Sequence, residues 1–165
     1  MSIIELESQQ DLQYLTFVLR DECYGININS VKEIIEYGHL TQVPLMPEFV
    51  KGVLNLRGEV VPVVDISLRF GKAPTELHHR SCIVILEVRF ESQLVVMGVV
   101  VDAVNEVVDI HPDNIEPPPT FGAKIRPHFI QGIANVEDEF VVLLHGDKVL
   151  SVEEMASIIE NVLDN

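Results

Sequence analysis

Six histidines are the side chains in this sequence best suited to ligate a metal or to transfer a proton, and their spacing argues against both roles. They are His39, His78, His79, His111, His128 and His145. Only His78 and His79 are neighbours, and adjacent side chains on a strand point to opposite faces, so the pair would chelate a metal poorly. A solvated loop is the favoured interpretation of these two residues, and we expect no metal site.

Other signatures of catalysis are also missing from the sequence. There is no Cys-x-x-Cys motif, no glycine-rich phosphate loop and no Gly-x-Ser-x-Gly elbow. The 26 acidic residues are scattered, so no catalytic carboxylate pair can be chosen. Cys23 and Cys82 lie in or beside predicted strands and are interpreted as small buried hydrophobes. The sequence therefore predicts a protein that is not an enzyme and needs no cofactor. A small barrel hydrolase, a ligand-enclosing β-barrel and an inert structural domain remain alternatives.

The composition indicates a folded, acidic protein of one domain, or of two small domains that share a core. The chain has 165 residues, of which 47% are hydrophobic, and a formal net charge of −15. This charge argues against nucleic acid and anionic membranes as partners, and it favours a basic patch on any partner protein. The apolar runs are too short to span a bilayer. No signal peptide is visible and only two cysteines are present, so we expect a cytoplasmic protein.

Two segments of the chain return later as near copies. Residues 24–35 (YGININSVKEII) return as residues 97–108 (MGVVVDAVNEVV), an offset of 97 − 24 = 73. Residues 49–55 (FVKGVLN) return as residues 129–135 (FIQGIAN), an offset of 129 − 49 = 80. Such a repeat predicts two similar small modules.

Most segments have strand character. Short runs rich in β-branched residues lie at 15–19, 52–56, 60–64, 81–88, 94–101 and 140–144, which is typical of small barrels or sandwiches. A short helix is predicted within 29–35, capped by Asn29 or Ser30. Ser151 and Glu154 have the spacing of a capping box, and an apolar stripe follows them, so a C-terminal helix is predicted over 151–164.

Asn55 and Arg57 are the most suggestive candidates for binding. Residues 57–59 separate two apolar runs and predict a tight hairpin, with Gly58 able to adopt a positive φ. Side-chain alternation places Asn55 and Arg57 on one strand face and Leu54 and Leu56 on the other.

Comparison of the two copies separates the roles of these candidates. Asn55 corresponds to Asn135, which indicates a structural asparagine, whereas Arg57 corresponds to Glu137. A position that is cationic in one copy and anionic in the other is a candidate contact residue. The alternative is that Asn55 binds turn backbone and Arg57 is merely solvated.

Together these segments resemble the CheW-like family of bacterial chemotaxis coupling proteins. The resemblance rests on residues 52–58 (GVLNLRG), 61–65 (VPVVD), 98–104 (GVVVDAV), 115–119 (IEPPP) and 130–132 (IQG), and it extends from about residue 13 to residue 150. Residues 144–147 (LHGD) depart from the family pattern, which has an acidic residue directly after the leucines.

The resemblance implies a mostly β fold. It implies two packed five-stranded SH3-like β-barrels that form one CheW-like unit over residues 12–150, with a short helix after the second strand. The first barrel would span roughly 12–75 and the second roughly 80–150, and the C-terminal α-helix at 151–164 would follow.

The resemblance also implies a non-enzymatic adaptor. Its partners would be the cytoplasmic domain of a chemoreceptor (a methyl-accepting chemotaxis protein) and the regulatory domain of the histidine kinase CheA, and it would be recruited to membrane-associated receptor arrays without inserting into the membrane. A paralogous adaptor of another chemosensory array, controlling pili or gliding, is the alternative. The implied receptor-binding residues are Val31, Glu33, Gly52, Asn55, Leu56, Arg57 and Gly58. Kinase-binding residues are not identified but are expected on the second barrel.

Overall fold

The computed structural model describes residues 11–90, 92–117, 129–149 and 154, and most of them lie in β-strands. The strands in chain order are β1 (Leu12–Leu19), β2 (Glu22–Asn27), β3 (Val31–Glu36), β4 (Val50–Leu56), β5 (Glu59–Asp65), β6 (Cys82–Phe90), β7 (Gln93–Val101), β8 (Ala103–Ile110), β9 (Ile115–Glu116), β10 (Ile130–Val136) and β11 (Glu139–Leu144). A four-residue helix, α1 (Ile66–Arg69), follows β5, and short 3-10 turns cover Ile28–Ser30, Pro112–Asn114 and Gly146–Lys148. The mostly β prediction is confirmed.

The strands form two sheets with the same internal order. Sheet I has the order β3-β6-β7-β5-β4, and sheet II has the order β8-β1-β2-β11-β10-β9. In each sheet two hairpins meet along one parallel pair, β5 with β7 in sheet I and β11 with β2 in sheet II. Apart from the two-residue β9, the sheets match strand for strand, which is the structural form of the sequence repeat.

The expected division into a first barrel over 12–75 and a second over 80–150 is wrong. β1 and β2 pair within sheet II, whereas β6 and β7 pair within sheet I. The chain therefore crosses from one sheet to the other after β2 and again after β7. Local sequence patterns identify a strand, but its partners are chosen by contacts between residues that are distant in sequence.

Each sheet curls around a small core of its own, and a larger core lies between the sheets. Sheet I encloses Val61, Val63, Ile83, Ile85 and Val100. Sheet II encloses Tyr14, Ile110, Ala134, Val141 and Leu143. The alternate side chains of the same strands form the core between the sheets, to which both sheets contribute. This arrangement is consistent with two packed SH3-like barrels.

The short helix after β2 is present, but it is shorter than predicted and begins earlier. It is the 3-10 turn Ile28–Ser30, and the side chain of Asn27 caps it by accepting a hydrogen bond from the N–H of Asn29 at 2.9 Å. From Val31 the chain is strand, not helix. The β-branched residues of this segment suit pairing with β6, and that pairing outweighs the weak helical pattern.

The predicted C-terminal helix lies outside the described residues except for Glu154. The carboxylate of Glu154 binds the guanidinium of Arg69 at 2.8 Å. The Arg69 side chain is only 8% exposed, and its guanidinium carbon lies 4.5 Å from the centre of the Phe129 ring. Arg69 therefore ties Glu154 to the core between the sheets through a largely buried ion pair and a cation–π contact.

Candidate functional site

The β4–β5 hairpin places Arg57 at its tip. Arg57 and Gly58 are the two central residues of the turn, and both have positive φ values, 52° and 90°. This is the mirror-image turn that matches the twist of a two-residue hairpin. The N–H of Gly58 donates to Oδ1 of Asn55 at 2.8 Å, so Asn55 stabilises the turn, as the copy comparison suggested.

The guanidinium of Arg57 forms a forked ion pair with Glu33. Nη1 of Arg57 lies 3.3 Å from Oε1 of Glu33, and Nη2 contacts Oε2. The Arg57 side chain is 67% exposed and that of Glu33 is 27% exposed. The hydrogen bond from Arg57 holds the pKa of Glu33 below its usual range, and the same bond raises the pKa of Arg57. Both residues are therefore charged near neutral pH, and the pair stays open to a partner.

A β-bulge in β3 aims Glu33 at Arg57. Val31 pairs with Leu86 and Glu33 pairs with Ile85, so Lys32 is an extra residue on β3. Such a bulge changes which side chains face which side of the sheet. Glu33 consequently shares the face of Ile85, which lies in the core that sheet I encloses. Side-chain alternation correctly grouped Leu54 with Leu56, but it did not foresee that a turn residue such as Arg57 reaches back to this face.

A groove of about 340 Å³ runs beside the hairpin, between the two edge strands of sheet I. It is lined by residues of β3, of the segment after β3, of β4 and of β6, namely Ile35, Glu36, Gly38, His39, Leu40, Thr41, Val53, Leu54, Asn55 and Ile83. Its apolar lining is continuous with the core of sheet I, since Ile35, Leu40 and Leu54 pack against that core. The groove is thus lined by apolar and polar side chains together, and its lining residues Ile35 and Asn55 lie two residues along the chain from Glu33 and Arg57.

Gly52 has a structural role in this groove. It is buried, and a Cβ atom at this position would lie 2.6 Å from the carbonyl oxygen of Thr41. Thr41 pairs with Val53 through two backbone hydrogen bonds of 2.8 Å. Gly52 therefore lets the segment around Thr41 cross close to β4 and form a wall of the groove.

The remaining predicted residues separate into two groups. Leu56 is half-buried and packs against the core of sheet I next to Arg57. Val31 is also half-buried, but it packs against the core between the sheets, on the face away from Glu33. The structure therefore brings together Glu33, Asn55, Leu56, Arg57 and Gly58. Gly52 lies farther along β4, where it shapes the groove wall, and Val31 faces the core between the sheets.

Val60 is a candidate contact residue that the sequence did not single out. It lies opposite Asn55 across the hairpin and is 54% exposed. With Asn55 it faces away from the core of sheet I, where it presents an exposed apolar side chain on the hairpin. The only sequence signal is that Val60 occupies the position alternating with Val61, which is buried.

The described residues contain no group of three or more His, Cys, Asp or Glu side chains placed to hold a metal ion. Within the same ranges, no helix has the length and apolar character needed to cross a bilayer. Both cysteines are free thiols. The candidate site therefore consists of the Arg57–Glu33 ion pair, the β4–β5 turn and the groove beside that hairpin.

Comparison with known proteins places this architecture in a family. The chemotaxis protein CheW of Klebsiella aerogenes is 34% identical over 150 residues, which cover 91% of this chain and 87% of that protein. The protein FrzA of Myxococcus xanthus is 27% identical over 153 residues, 92% of this chain and 93% of that protein. The crystal structure of the scaffolding protein TtCheW from Thermoanaerobacter tengcongensis superposes with a TM-score of 0.77 at 34% identity, covering 87% of this chain and 90% of that one.

The family model described as the CheW-like domain matches residues 13–154, which include both sheets, the Arg57 hairpin and Glu154. The repeat, the matched strand orders and these similarities agree, and the chain belongs to the CheW-like domain family.

Proposed function

We propose that this protein is a non-enzymatic chemotaxis adaptor that couples the cytoplasmic tips of chemoreceptors to the regulatory domain of the histidine kinase CheA. The observation that carries the proposal is the exposed Arg57–Glu33 ion pair, whose residues lie two positions along the chain from the groove residues Asn55 and Ile35. The name of the related protein from Klebsiella aerogenes supports a role in chemotaxis, and that of the related crystal structure supports a scaffold.

An amphipathic receptor helix fits the chemistry of this groove. Apolar side chains on one face of the helix would cover Ile35, Leu40 and Leu54. The Arg57 guanidinium has five N–H donors, and Glu33 occupies only part of them, so the rest remain available for a receptor carboxylate. Because Glu33 already orients the guanidinium, less side-chain entropy is lost when the receptor binds.

The kinase would bind elsewhere on the molecule. If the receptor occupies the hairpin end of sheet I, sheet II stays accessible, and we assign the kinase regulatory domain to it. Simultaneous binding of both partners would let weak contacts add up in an array. The protein would be cytoplasmic and would reach the membrane through the receptor. Its net charge of −15 opposes direct attraction to anionic lipids.

A charge-swap series tests the receptor site. Arg57→Asp should lower the affinity for a purified receptor cytoplasmic fragment by at least about tenfold, since an interfacial arginine is often a hot spot. The double variant Arg57→Glu with Glu33→Arg restores an ion pair but places the cation on the other strand. It should therefore recover the wild-type melting temperature without recovering receptor affinity. Isothermal titration calorimetry and thermal denaturation separate the two effects.

Arg80→Asp is the matched control, because Arg80 is exposed and the change in charge is the same. This variant should bind the receptor fragment with the wild-type affinity. Wild-type affinity in Arg57→Asp would remove Arg57 from the receptor site. Failure of the unmodified protein to bind both the receptor fragment and the kinase domain would refute the adaptor function itself.

The alternative function, an adaptor of another chemosensory array, has weaker support. Identity to FrzA is 27%, against 34% to the chemotaxis protein from Klebsiella aerogenes. Stronger binding to the receptor of a pilus or gliding array than to a chemoreceptor fragment would favour it.

A further inference from the structure

The β10–β11 hairpin of sheet II is the structural counterpart of the Arg57 hairpin and carries the opposite charge. Its turn is formed by Glu137 and Asp138, with φ values of 50° and 66°. The repeat offsets map Arg57 onto Glu137, since 57 + 80 = 137, and Glu33 onto Glu106, since 33 + 73 = 106. Where sheet I has an arginine facing a glutamate, sheet II has two glutamates.

The acidic side chains at this end of sheet II are not neutralised. Glu106, Glu137, Asp138 and Glu139 form no ion pair with any residue in the described part of the chain. Glu106 is exposed and held in place through its backbone. Its N–H donates to Oγ1 of Thr16 at 3.2 Å, and its carbonyl accepts from the same hydroxyl at 2.8 Å. The carboxylate is therefore positioned without a cationic partner.

The thiol of Cys23 on β2 senses this negative charge. The carboxylates of Glu139 on β11 and Glu106 on β8 both act on it electrostatically. Burial raises the pKa of this thiol, and the two carboxylates raise it further. The repeat and the matched strand orders place Glu106 and Glu137 at the positions that Glu33 and Arg57 occupy in sheet I.

An exposed aromatic side chain accompanies these charges. Phe140 lies opposite Asn135 on the hairpin and is 71% exposed. At the equivalent position of sheet I, opposite Asn55, lies Val60. Aromatic side chains are enriched at protein interfaces relative to the rest of the surface, so the exposed Phe140 marks this hairpin as a candidate contact.

We propose that the acidic hairpin tip, defined as Glu106, Glu137, Asp138, Glu139 and Phe140, binds a segment of a partner protein that carries an arginine beside an apolar side chain. The partner arginine supplies in trans the guanidinium that Arg57 supplies to Glu33 within the chain. The apolar neighbour packs on Phe140.

Two observations favour this occupant. The equivalent carboxylate in sheet I does bind a guanidinium, so the hairpin geometry suits a forked ion pair. Charge complementarity requires a basic segment, and a second copy of this chain, with its own net charge of −15, is repelled.

The test is an NMR titration of ¹⁵N-labelled protein with the peptide acetyl-Gly-Arg-Leu-Arg-Gly-amide. We expect saturable shifts of the backbone amides of residues 137–140 and of Glu106. Replacing both arginines of the peptide by citrulline keeps its shape and removes its charge, and this should abolish the shifts. Replacing its leucine by glycine should weaken binding, because the contact with Phe140 is lost.

Two protein variants complete the test. Glu137→Arg would supply the missing cation within the chain, so it should prevent peptide binding. Phe140→Ser, which leaves the charge unchanged, should weaken binding by at least about threefold. Glu48→Arg is the matched control, since Glu48 is exposed on a loop and the change in charge is the same. Shifts spread evenly over acidic residues of both sheets, or equal affinity in Glu137→Arg and Glu48→Arg, would overturn the proposal.

Discussion

Replacing Gly52 by alanine tests whether the groove wall depends on a close approach of two backbones. The new Cβ would lie 2.6 Å from the carbonyl oxygen of Thr41, and the backbone at Gly52 has a φ of 153°, which side chains rarely allow. Backbone atoms cannot move aside as a flexible side chain can. The segment around Thr41 must therefore move away from β4.

The cost follows from the contacts that this movement breaks. Thr41 and Val53 exchange two backbone hydrogen bonds of 2.8 Å, each worth about 1 kcal/mol. Strain at an unfavourable φ adds about 1–3 kcal/mol. The smaller entropy of the unfolded chain with alanine returns about 0.4–1 kcal/mol. The net loss in the free energy of unfolding is about 2–5 kcal/mol, which most domains of this size survive.

Urea denaturation would measure this loss, and amide hydrogen exchange at Thr41 and Val53 would locate it. Gly38→Ala is a neutral control, because no atom lies within 4 Å of its added Cβ. Gly132→Ala is a matched control in sheet II, where the Cβ would lie 2.7 Å from the carbonyl oxygen of Glu116. It should destabilise the fold by less than Gly52→Ala, because Gly132 does not have a positive φ, and it should leave receptor affinity unchanged. Wild-type stability of Gly52→Ala with full amide protection at Thr41 would refute the reasoning.

Two further predictions concern buried groups. Asp65 is fully buried, and its carboxylate accepts two hydrogen bonds of 2.9 Å from Thr75, so Asp65→Ala should lower the free energy of unfolding by about 2–4 kcal/mol in urea denaturation. Asp65→Asn keeps one acceptor oxygen, so it should lower the free energy of unfolding by less than Asp65→Ala does. Equal stability of the wild-type protein and both variants would contradict this role. Burial raises the pKa of Cys23 and of Cys82, so both thiols should be protonated at pH 8 and react slowly with Ellman's reagent until the pH rises above their ordinary value of 9.0. Equal reaction rates in folded and urea-unfolded protein would contradict their burial.

Local structure was largely predictable because it depends on neighbours in sequence. Each predicted strand lies within an observed one, or begins a single residue before it, since the period-two pattern of β-branched residues is a local signal. The tight turn at Arg57 and Gly58 was likewise foreseen from its composition. The helix predicted over residues 29–35 failed because pairing with β6 decides the conformation of that segment.

Pro62 shows how a central strand can accommodate a proline. Proline lacks an N–H and is normally found at a sheet edge or a bulge, yet Pro62 lies on β5 inside sheet I, between β7 and β4. The parallel ladder with β7 begins only at Val63, so Pro62 stands just beyond its end. Its partner on β4, Val53, directs its backbone hydrogen bonds to Thr41 instead. The missing donor therefore costs the sheet no bond.

The candidate site was predicted residue by residue, but its assembly was not. Arg57 emerged from the comparison of the two copies, and the resemblance implied Glu33, yet nothing local indicates that they form an ion pair. Their meeting depends on a bulge at Lys32 and on the curl of sheet I, which brings its two edge strands together. Tertiary packing likewise directs Val31 towards the core between the sheets. It also brings the segment around Thr41 close to Gly52, which gives Gly52 its structural role.

The amino-acid sequence alone determined six of the strands (β1, β4, β5, β6, β7 and β11), the turn at Arg57, the internal repeat and the charge difference between Arg57 and Glu137. These features follow from residue types and short spacings. The tertiary structure alone decided that the chain crosses between sheets after β2 and β7, and that Arg57 meets Glu33. The physical reason is that the strand pairing of the two sheets and the Arg57–Glu33 contact depend on hydrogen bonds and packing between residues that are distant in sequence. These interactions form only when the chain folds as a whole, so local sequence patterns do not specify them.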